Sequence, residues 1–253
     1  MRPNKVKQMW RENKPVAVGW LGTADTFVVE TMAQAGFDAL VLDMQHGMGI
    51  GPDRAAIALQ ILSTTDVVPI VRVPWNDPIY IQYVLDAGAY GVIIPMVNNR
   101  AEAEKAAGAS RYFPVGYRSN GANRARYYGG NDYFANANSE IICLAMIETT
   151  EAIENLEAIA TTPGVDGFYV GPTDLAITMG LPPMLDHKDP RHVEAVQKVI
   201  DAARKHKLQA GIHTTGAEEA NRRFVQGYNF CPLGGDVAFV AAGARAVLNE
   251  FRG

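Results

Sequence analysis

Residues 67–94 read VVPIVRVPWNDPIYIQYVLDAGAYGVII and contain the signals of a strand, a helix and a second strand in succession. The opening apolar run is rich in valine and isoleucine and has the length of a buried strand. Asp77 followed by Pro78 is typical of a helix start, and Gly88 of a helix end. The segment therefore predicts two parallel strands joined by a helix that packs on the sheet.

This unit recurs about eight times along the 253 residues. Apolar runs of strand length alternate with helical patterns, and the predicted helices cover residues 24–36, 53–63, 77–87, 100–110, 149–160, 190–206, 216–226 and 235–251. Eight such units in this length predict an α/β fold, a single (β/α)₈ TIM-barrel domain over residues 1–253. A doubly wound open sheet is the alternative, but VGWLGTADT at residues 18–26 lacks the GxGxxG spacing of its first turn.

One connection is longer than the others. About thirty residues, 111–140, separate the helix at 100–110 from the next strand. Structureless loops of this length in a compact domain are usually functional. We therefore expect a long active-site loop at about 111–140.

Composition narrows the class of protein. The formal net charge is −4, and the basic residues are spread along the chain, which argues against a nucleic-acid partner. The chain has no apolar segment of membrane-spanning length, and its N-terminus lacks the apolar centre of a secretory signal, so we expect a soluble cytoplasmic protein. Cys143 and Cys231 lie in separate apolar runs and are interpreted as core residues.

Polar residues follow the predicted strands at their C-terminal ends, the edge at which TIM barrels carry their active sites. The candidates at this rim are Asp43, Gln45, His46, Arg72, Glu148, Thr173, Asp174 and His213. Glu148 and Asp174 end consecutive strands, which lie about 4.8 Å apart in a sheet. Their carboxylates could share Mg²⁺ or Mn²⁺, which prefer oxygen ligands. Alternatively, each acid caps the helix that follows it.

Arg72 ends a buried run, where a charge is costly unless it meets an anion. It could pair with Asp43 or Glu148, or face a substrate carboxylate or developing oxyanion. Asp86 lies in the last turn of a helix, where a negative charge opposes the helix dipole. Its partner is therefore expected to be remote in sequence. His213 is a further candidate for substrate contact.

The lysine positions argue against imine chemistry. An aldolase that works through a Schiff base needs a lysine on a barrel strand. The lysines of this chain fall in predicted helices, in loops or at the opposite rim. We therefore expect no Schiff-base lysine.

Six motifs resemble, in order and spacing, those of the HpcH/HpaI aldolases, a family of class II pyruvate aldolases. They are LDMQHG (42–47), VRVPWNDP (71–78), LDAGAYGVIIPMV (85–97), RYFPVGYRS (111–119), MIET (146–149) and GVDGFYVGPTDLAITMG (164–180). The resemblance covers nearly the whole chain. It implies a (β/α)₈ barrel, a homo-oligomer, commonly a hexamer, and a last helix exchanged between subunits.

The resemblance also implies roles for individual residues. Glu148 and Asp174 match the metal ligands, His46 the catalytic base, and Arg72 the arginine that stabilises the enolate. Asp86 matches an acid that polarises the histidine across a subunit boundary.

Two further features bear on the substrate. The backbone at Thr173 and Asp174 would hold the pyruvate carboxylate. Arg118, with Arg124 and Arg126, could contact the distal end of the substrate. Two positions depart from the family pattern: Gln45 replaces a glutamate and Met146 a glutamine, so metal affinity and substrate identity do not transfer.

The implied activity is a divalent-metal-dependent aldolase, an aldehyde-lyase that reversibly cleaves a 4-hydroxy-2-oxo acid to pyruvate and an aldehyde through a metal-bound pyruvate enolate. Mg²⁺ or Mn²⁺ is expected, with Co²⁺ as a third candidate. One alternative is a related lyase acting on another 2-oxo acid, such as decarboxylation of oxaloacetate. The other is a non-catalytic barrel that binds 2-oxo acids.

Overall fold

The apolar runs form eight parallel strands, and the sheet closes into a barrel because the last strand pairs with the first. The strands are β1 (Val16–Leu21), β2 (Ala39–Asp43), β3 (Val68–Arg72), β4 (Gly91–Ile94), β5 (Ile142–Ile147), β6 (Gly167–Val170), β7 (Gln209–Ile212) and β8 (Phe230–Gly235). This computed structural model describes residues 1–253. The predicted TIM-barrel fold is confirmed.

Thirteen helices surround the barrel or close its ends. They are α1 (Lys5–Arg11), α2 (Thr26–Gln34), α3 (Pro52–Leu62), α4 (Pro78–Asp86), α5 (Arg100–Ser110), α6 (Asn123–Gly129), α7 (Tyr133–Glu140), α8 (Thr150–Glu154), α9 (Leu156–Ala160), α10 (Pro172–Thr178), α11 (Pro190–His206), α12 (Ala217–Gln226) and α13 (Asp236–Arg252). The helix predicted at 149–160 is divided into α8 and α9 at Asn155, whose amide donates to the carbonyl of Asn98.

Local signals explain where α4 starts and stops. The carboxylate of Asp77 accepts a hydrogen bond from the N–H of Ile79 at 2.8 Å, and Pro78 occupies the first turn. Gly88 follows the helix with φ +106°, a backbone conformation that favours glycine. The helix therefore has the start and end that its sequence predicts.

Apolar side chains fill two regions. The larger cluster lies between the strands and the surrounding helices, and it contains Cys143 and Cys231 as predicted. The smaller cluster fills the barrel interior, where Trp20, Met146 and Tyr169 pack. Helix α1 contributes Val6 and Trp10 to this interior cluster, so it closes the N-terminal end of the barrel. Only the C-terminal end is left for a substrate.

The segment 111–140 is not the structureless loop that its sequence suggested, because it contains α6 and α7. It connects the end of α5 to the start of β5, so it lies at the N-terminal end of the barrel. There Arg2 N–H donates to the carbonyl of Gly129 at 2.6 Å, and the Arg111 guanidinium donates to the carbonyl of Ile141 at 2.9 Å. Within one subunit this segment and the C-terminal rim are at opposite ends.

Helix α13 covers little of its own barrel. Val240, Val247 and Phe251 are 68%, 67% and 86% exposed. Exchange of this helix between subunits, which the family resemblance implies, stays a prediction. No helix combines the length and the apolar character needed to cross a membrane.

Candidate active site

A cavity of about 380 Å³ opens at the C-terminal end of the barrel. Its lining brings together residues from five of the eight strand ends and from the segment after α10. They are His46, Arg72, Met146, Gly171, Pro172, Thr173, Asp174, Leu185 and His213. Five of the residues predicted for the site, His46, Arg72, Thr173, Asp174 and His213, therefore share one cavity.

Asp43 and Arg72 form a buried ion pair beside this cavity. Strands β2 and β3 pair in a register that places the two residues side by side. The Nε and Nη2 atoms of Arg72 donate to the two carboxylate oxygens of Asp43 at 2.9 and 2.6 Å. Nη1 has no hydrogen-bond partner in the chain. Of the two acids that the sequence offered as partners of Arg72, Asp43 is the one that it binds.

Further donors hold the carboxylate of Asp43. Trp20 Nε1 donates to it at 3.1 Å, and the backbone N–H groups of Gln45 and His46 donate at 3.1 and 3.2 Å. Burial by itself raises the pKa of Asp43, but the hydrogen bonds and charge of Arg72 outweigh it, so the pKa is lowered overall. Asp43 is therefore an ionised anchor that positions Arg72 and the turn carrying His46.

Glu148 is a buried acid at the end of β5. One oxygen accepts a hydrogen bond from the N–H of Met96 at 2.7 Å. The pKa of Glu148 is raised to about 7, chiefly by burial; the hydrogen bond from the Met96 N–H opposes this rise, and the nearby charge of Asp174 adds to it. Thr149, not Glu148, caps the next helix by accepting from the N–H of Ala152. The alternative of a simple helix cap is therefore excluded for Glu148.

Asp174 lies in the first turn of α10, and its carboxylate makes no capping hydrogen bond. The helix begins at Pro172, which places the N–H groups of Thr173 and Asp174 among those without an intrahelical acceptor. These donors and the Asp174 carboxylate lie at the cavity wall. The helix-cap alternative fails for Asp174 as well.

The donors around Glu148 and Asp174 fit a small, hard cation. A side chain at Gly171 would place its Cβ 2.6 Å from Glu148 Oε2, so only glycine leaves that oxygen open. Two carboxylates, with further positions for water and substrate oxygens, are the ligands that Mg²⁺ and Mn²⁺ prefer. No cluster of three or more acidic, histidine or cysteine side chains has metal-binding geometry. The carboxylates of Glu148 and Asp174 are therefore the acidic side chains that would hold an ion here.

His46 and Gln45 belong to the turn after β2. The imidazole of His46 lines the cavity and makes no side-chain hydrogen bond in the chain. The side-chain oxygen of Gln45 is buried without a hydrogen-bond partner. A glutamate at position 45, as in the family pattern, would place a buried charge there. Met146, the second departure, adds an apolar surface to the cavity.

His213 occupies the rim at the end of β7. Its Nδ1 lies 2.9 Å from the hydroxyl of Tyr169, and its ring packs edge-on against Trp20 at 4.7 Å. Burial, followed by the nearby charge of Arg72, lowers the pKa of His213 to about 4. His213 is therefore neutral at pH 7 and lines the cavity as a polar, uncharged group.

Asp86 and Arg118 lie away from this cavity, at the N-terminal end of the barrel. The guanidinium of Arg118 donates to Asp86 at 2.7 Å, and its side chain is fully buried. It also packs over the rings of Tyr112 and Tyr133 at 4.7 and 5.6 Å. The expected partner remote in sequence is present, because Arg118 is 32 residues from Asp86 along the chain. A contact of Asp86 with a neighbouring subunit, which the family resemblance implies, stays a prediction.

Sequence reasoning missed several residues that shape the site. Met96 has φ +55°, a left-handed conformation that is rare without glycine, and its N–H meets Glu148. His192 on α11 is buried, and its Nε2 lies 2.8 Å from the carbonyl of Pro172. Leu185 lines the cavity from an irregular segment. None of these positions carries a local sequence signal, since each depends on tertiary contacts.

A closed (β/α)₈ barrel with two acids, an arginine and a histidine at its C-terminal rim defines the class: a TIM-barrel enzyme. The sequence profile of the HpcH/HpaI aldolase/citrate lyase family matches residues 17–242. The protein belongs to this family.

Relatives of similar length support the assignment. The chain is 39% identical to hydroxypyruvate/pyruvate aldolase of Rhizorhabdus wittichii, covering 98% of this chain and 99% of the relative. It is 34% identical to 5-keto-4-deoxy-D-glucarate aldolase of Shigella dysenteriae, covering 99% and 97%. A crystal structure of a family member from Burkholderia cenocepacia superposes with a TM-score of 0.91 at 28% identity, covering 99% and 100%. The predicted family and class of enzyme, a class II-type aldolase, are confirmed.

Proposed function

We propose that the protein is a divalent-metal-dependent aldolase that reversibly cleaves a 4-hydroxy-2-oxo acid to pyruvate and an aldehyde. The observation that carries this proposal is the proximity of the buried Glu148 to Asp174, which lines a cavity together with His46 and Arg72. These groups can bind a 2-oxo acid, stabilise an enolate and move a proton. The aldolases named above act on related compounds, which supports the same reaction class.

Glu148 and Asp174 are the proposed ligands of Mg²⁺ or Mn²⁺. When bound, the ion supplies a Lewis acid for the 2-oxo acid. The chain contributes the rest of the binding site. The free N–H groups of Thr173 and Asp174 at the start of α10 donate hydrogen bonds to the substrate carboxylate, whose negative charge the helix dipole also favours.

Arg72 is the proposed electrostatic partner of the enolate oxygen. Asp43 occupies two of its guanidinium nitrogens and thereby fixes the direction of the third. A donor held in place before the reaction stabilises developing charge without a reorganisation cost. His46, which is free of other side-chain hydrogen bonds, takes the proton of the C4 hydroxyl during cleavage and returns it during addition.

Asp86 is proposed to act on His46 of a neighbouring subunit in a homo-oligomer, with a hexamer as the favoured assembly. Within one chain the two residues lie at opposite ends of the barrel. The Asp86 side chain keeps 31% of its surface exposed although Arg118 binds one of its oxygens. A carboxylate held in this way has an oxygen available for a partner subunit.

The direct test is cleavage of a 4-hydroxy-2-oxo acid by the purified protein with Mg²⁺ or Mn²⁺, followed by coupled detection of pyruvate. We expect pyruvate and aldehyde in equal amounts. If the protein turned over oxaloacetate but cleaved no hydroxy-oxo acid, its activity would be that of a decarboxylase and not of an aldolase. Metal binding without turnover of either substrate would indicate a binding barrel.

A further inference from the structure

Within one subunit, the cavity offers no free cation for a second carboxylate on the substrate. Arg72 is the only lysine or arginine in its lining, and Asp43 occupies two of its three nitrogens. Asp174 adds a negative charge, and His213 is neutral at pH 7 because burial lowers its pKa to about 4. A distal carboxylate placed here would lose its hydration without gaining a partner.

The arginines that the sequence suggested for the distal end of the substrate are held elsewhere in the subunit. Arg118 is buried against Asp86, and Arg124 donates to the carbonyl of Ala87 at 2.6 Å. Arg126 lies on α6, in the same segment at the N-terminal end of the barrel. None of the three lines the cavity of its own subunit, and Arg118, whose guanidinium binds Asp86, would reach a neighbouring site only as an already paired cation.

An apolar side chain takes the place of a cation. Residues 181–189 connect α10 to α11, and Leu185 is the residue of this segment that lines the cavity. The next residue, Asp186, binds Arg222 at 3.0 Å and Arg223 at 3.3 Å on α12. This pairing ties the segment to α12, and Lys188 also binds Asp186, at 2.6 Å, so Leu185 is held as part of the cavity wall.

We propose that the acceptor half of the site selects aldehydes without a negative charge, and that Leu185 determines this selection. The inference rests on the proposed aldolase function and adds the chemical class of the aldehyde. An uncharged acceptor meets the apolar surfaces of Leu185 and Met146. A charged acceptor meets the same surfaces with its carboxylate unpaired.

The test is aldol addition of pyruvate to two aldehydes of equal carbon number, butanal and 4-oxobutanoate, in the presence of Mg²⁺ or Mn²⁺. We expect kcat/KM to be about tenfold or more higher for butanal. An equal value, or a preference for 4-oxobutanoate, would overturn the inference.

A substitution at Leu185 and a matched control at the preceding residue test the role of Leu185. Leu185→Arg places a cation in the wall and is expected to move the ratio of the two kcat/KM values toward 4-oxobutanoate by about tenfold. Met184→Arg is the matched control, since Met184 is 50% exposed and outside the lining. The control should keep the wild-type ratio of the two kcat/KM values. Equal shifts in both variants would show that Leu185 does not determine the selection.

Leu185→Ala covers the case in which the arginine variant does not fold. It is expected to lower kcat/KM for butanal about threefold or more because apolar contact is lost, and to leave 4-oxobutanoate unchanged. A loss shared equally by both aldehydes would contradict the assignment.

Deuterium exchange at the pyruvate methyl group, measured in D₂O without aldehyde, distinguishes a failure of the acceptor inference from a failure of the proposed aldolase function. Exchange together with a preference for 4-oxobutanoate rejects only the acceptor inference. Absence of both exchange and addition rejects the proposed function, and the inference with it.

Discussion

At the scale of single residues, the site contains charged side chains whose burial costs free energy. Neighbouring charges and hydrogen bonds offset that cost to different degrees. Asp43 is ionised because Arg72 and several N–H groups surround it. Glu148 receives only one hydrogen bond, and its pKa rises to about 7 mainly because it is buried. The contrast marks Asp43 as a structural anchor and Glu148 as a group that requires a positive partner.

Glu148→Gln keeps the shape of the side chain and removes its charge. We expect pyruvate release to fall roughly 100-fold or more, because an amide is a poor ligand for Mg²⁺ or Mn²⁺. Calorimetric titration with Mn²⁺ should show a parallel loss of affinity. The matched control is Glu151→Gln, an exposed acid one turn along the chain. Wild-type activity in the Glu148 variant would exclude it as a ligand.

Arg72→Ala should lower the free energy of unfolding by about 3–5 kcal/mol at pH 7, because it leaves Asp43 buried and unpaired. The folded pKa of Asp43 is lowered, so the pair stabilises the fold above the ordinary aspartate pKa. That stabilisation is lost as the pH falls through the lowered value. Urea unfolding of both proteins at pH 7 and in acid measures the difference.

An exposed ion pair provides the control for this experiment. Arg100→Ala removes a partner of Glu104, where both side chains are about half exposed. Its effect should stay below about 1 kcal/mol. Equal losses in the two variants would show that burial of the Arg72–Asp43 pair has no special effect.

At the scale of elements, helix α11 supports the start of α10. The buried ring of His192 lies within hydrogen-bond distance of the Pro172 carbonyl, two residues before Asp174. This contact orients the turn whose N–H groups are proposed to bind the substrate carboxylate. His192 would thus be a positioning residue without contact to the substrate.

His192→Phe should raise KM for the 2-oxo acid about threefold to tenfold and change kcat less, because the substrate-binding turn loses its support. His192→Gln, which retains a donor, should recover part of the loss. His206→Phe at the far end of the same helix is the control, since His206 pairs with the surface acid Glu157. A fall in kcat at constant KM would contradict the positioning role.

The elements themselves were largely predictable from the sequence because their signals are local. Helix α4 follows its Asp-Pro start and its glycine end, and α11 spans the residues 190–206 that its period predicts. The segment 111–140 was harder because its two short helices lack a strong apolar period. Its location follows from topology, since a connection from helix to strand returns to the N-terminal end of a barrel. The partners Arg118 and His192 were not predictable, because each contact joins residues distant in sequence.

At the scale of the whole molecule, one subunit separates groups that the proposed mechanism joins. His46 lies at the C-terminal rim, whereas Asp86 lies at the opposite end of the barrel. The exposed apolar residues of α13 show a further surface that its own barrel leaves uncovered. Both features agree with the proposed oligomer, in which a neighbouring subunit would bring Asp86 to His46 and would cover the exposed face of α13.

Mixing two inactive variants tests this arrangement. His46→Ala and Asp86→Asn should each turn over slowly at unchanged folded content, since an amide oxygen at position 86 still accepts a hydrogen bond from the buried Arg118. When they are unfolded and refolded together, random mixing should restore activity at about a quarter of the sites, since some pair an intact His46 with an intact Asp86. Activity of the mixture no higher than the average of the two variants would place Asp86 outside the neighbouring site.

The proposed mechanism is metal-assisted enolate chemistry at Glu148 and Asp174 without an imine. Deuterium exchange into the pyruvate methyl group, followed by NMR, tests it most directly. We predict exchange with Mg²⁺ or Mn²⁺, its loss on adding EDTA, and full activity after treatment with borohydride and pyruvate. Exchange that persists in EDTA and is destroyed by borohydride with pyruvate would contradict the claim.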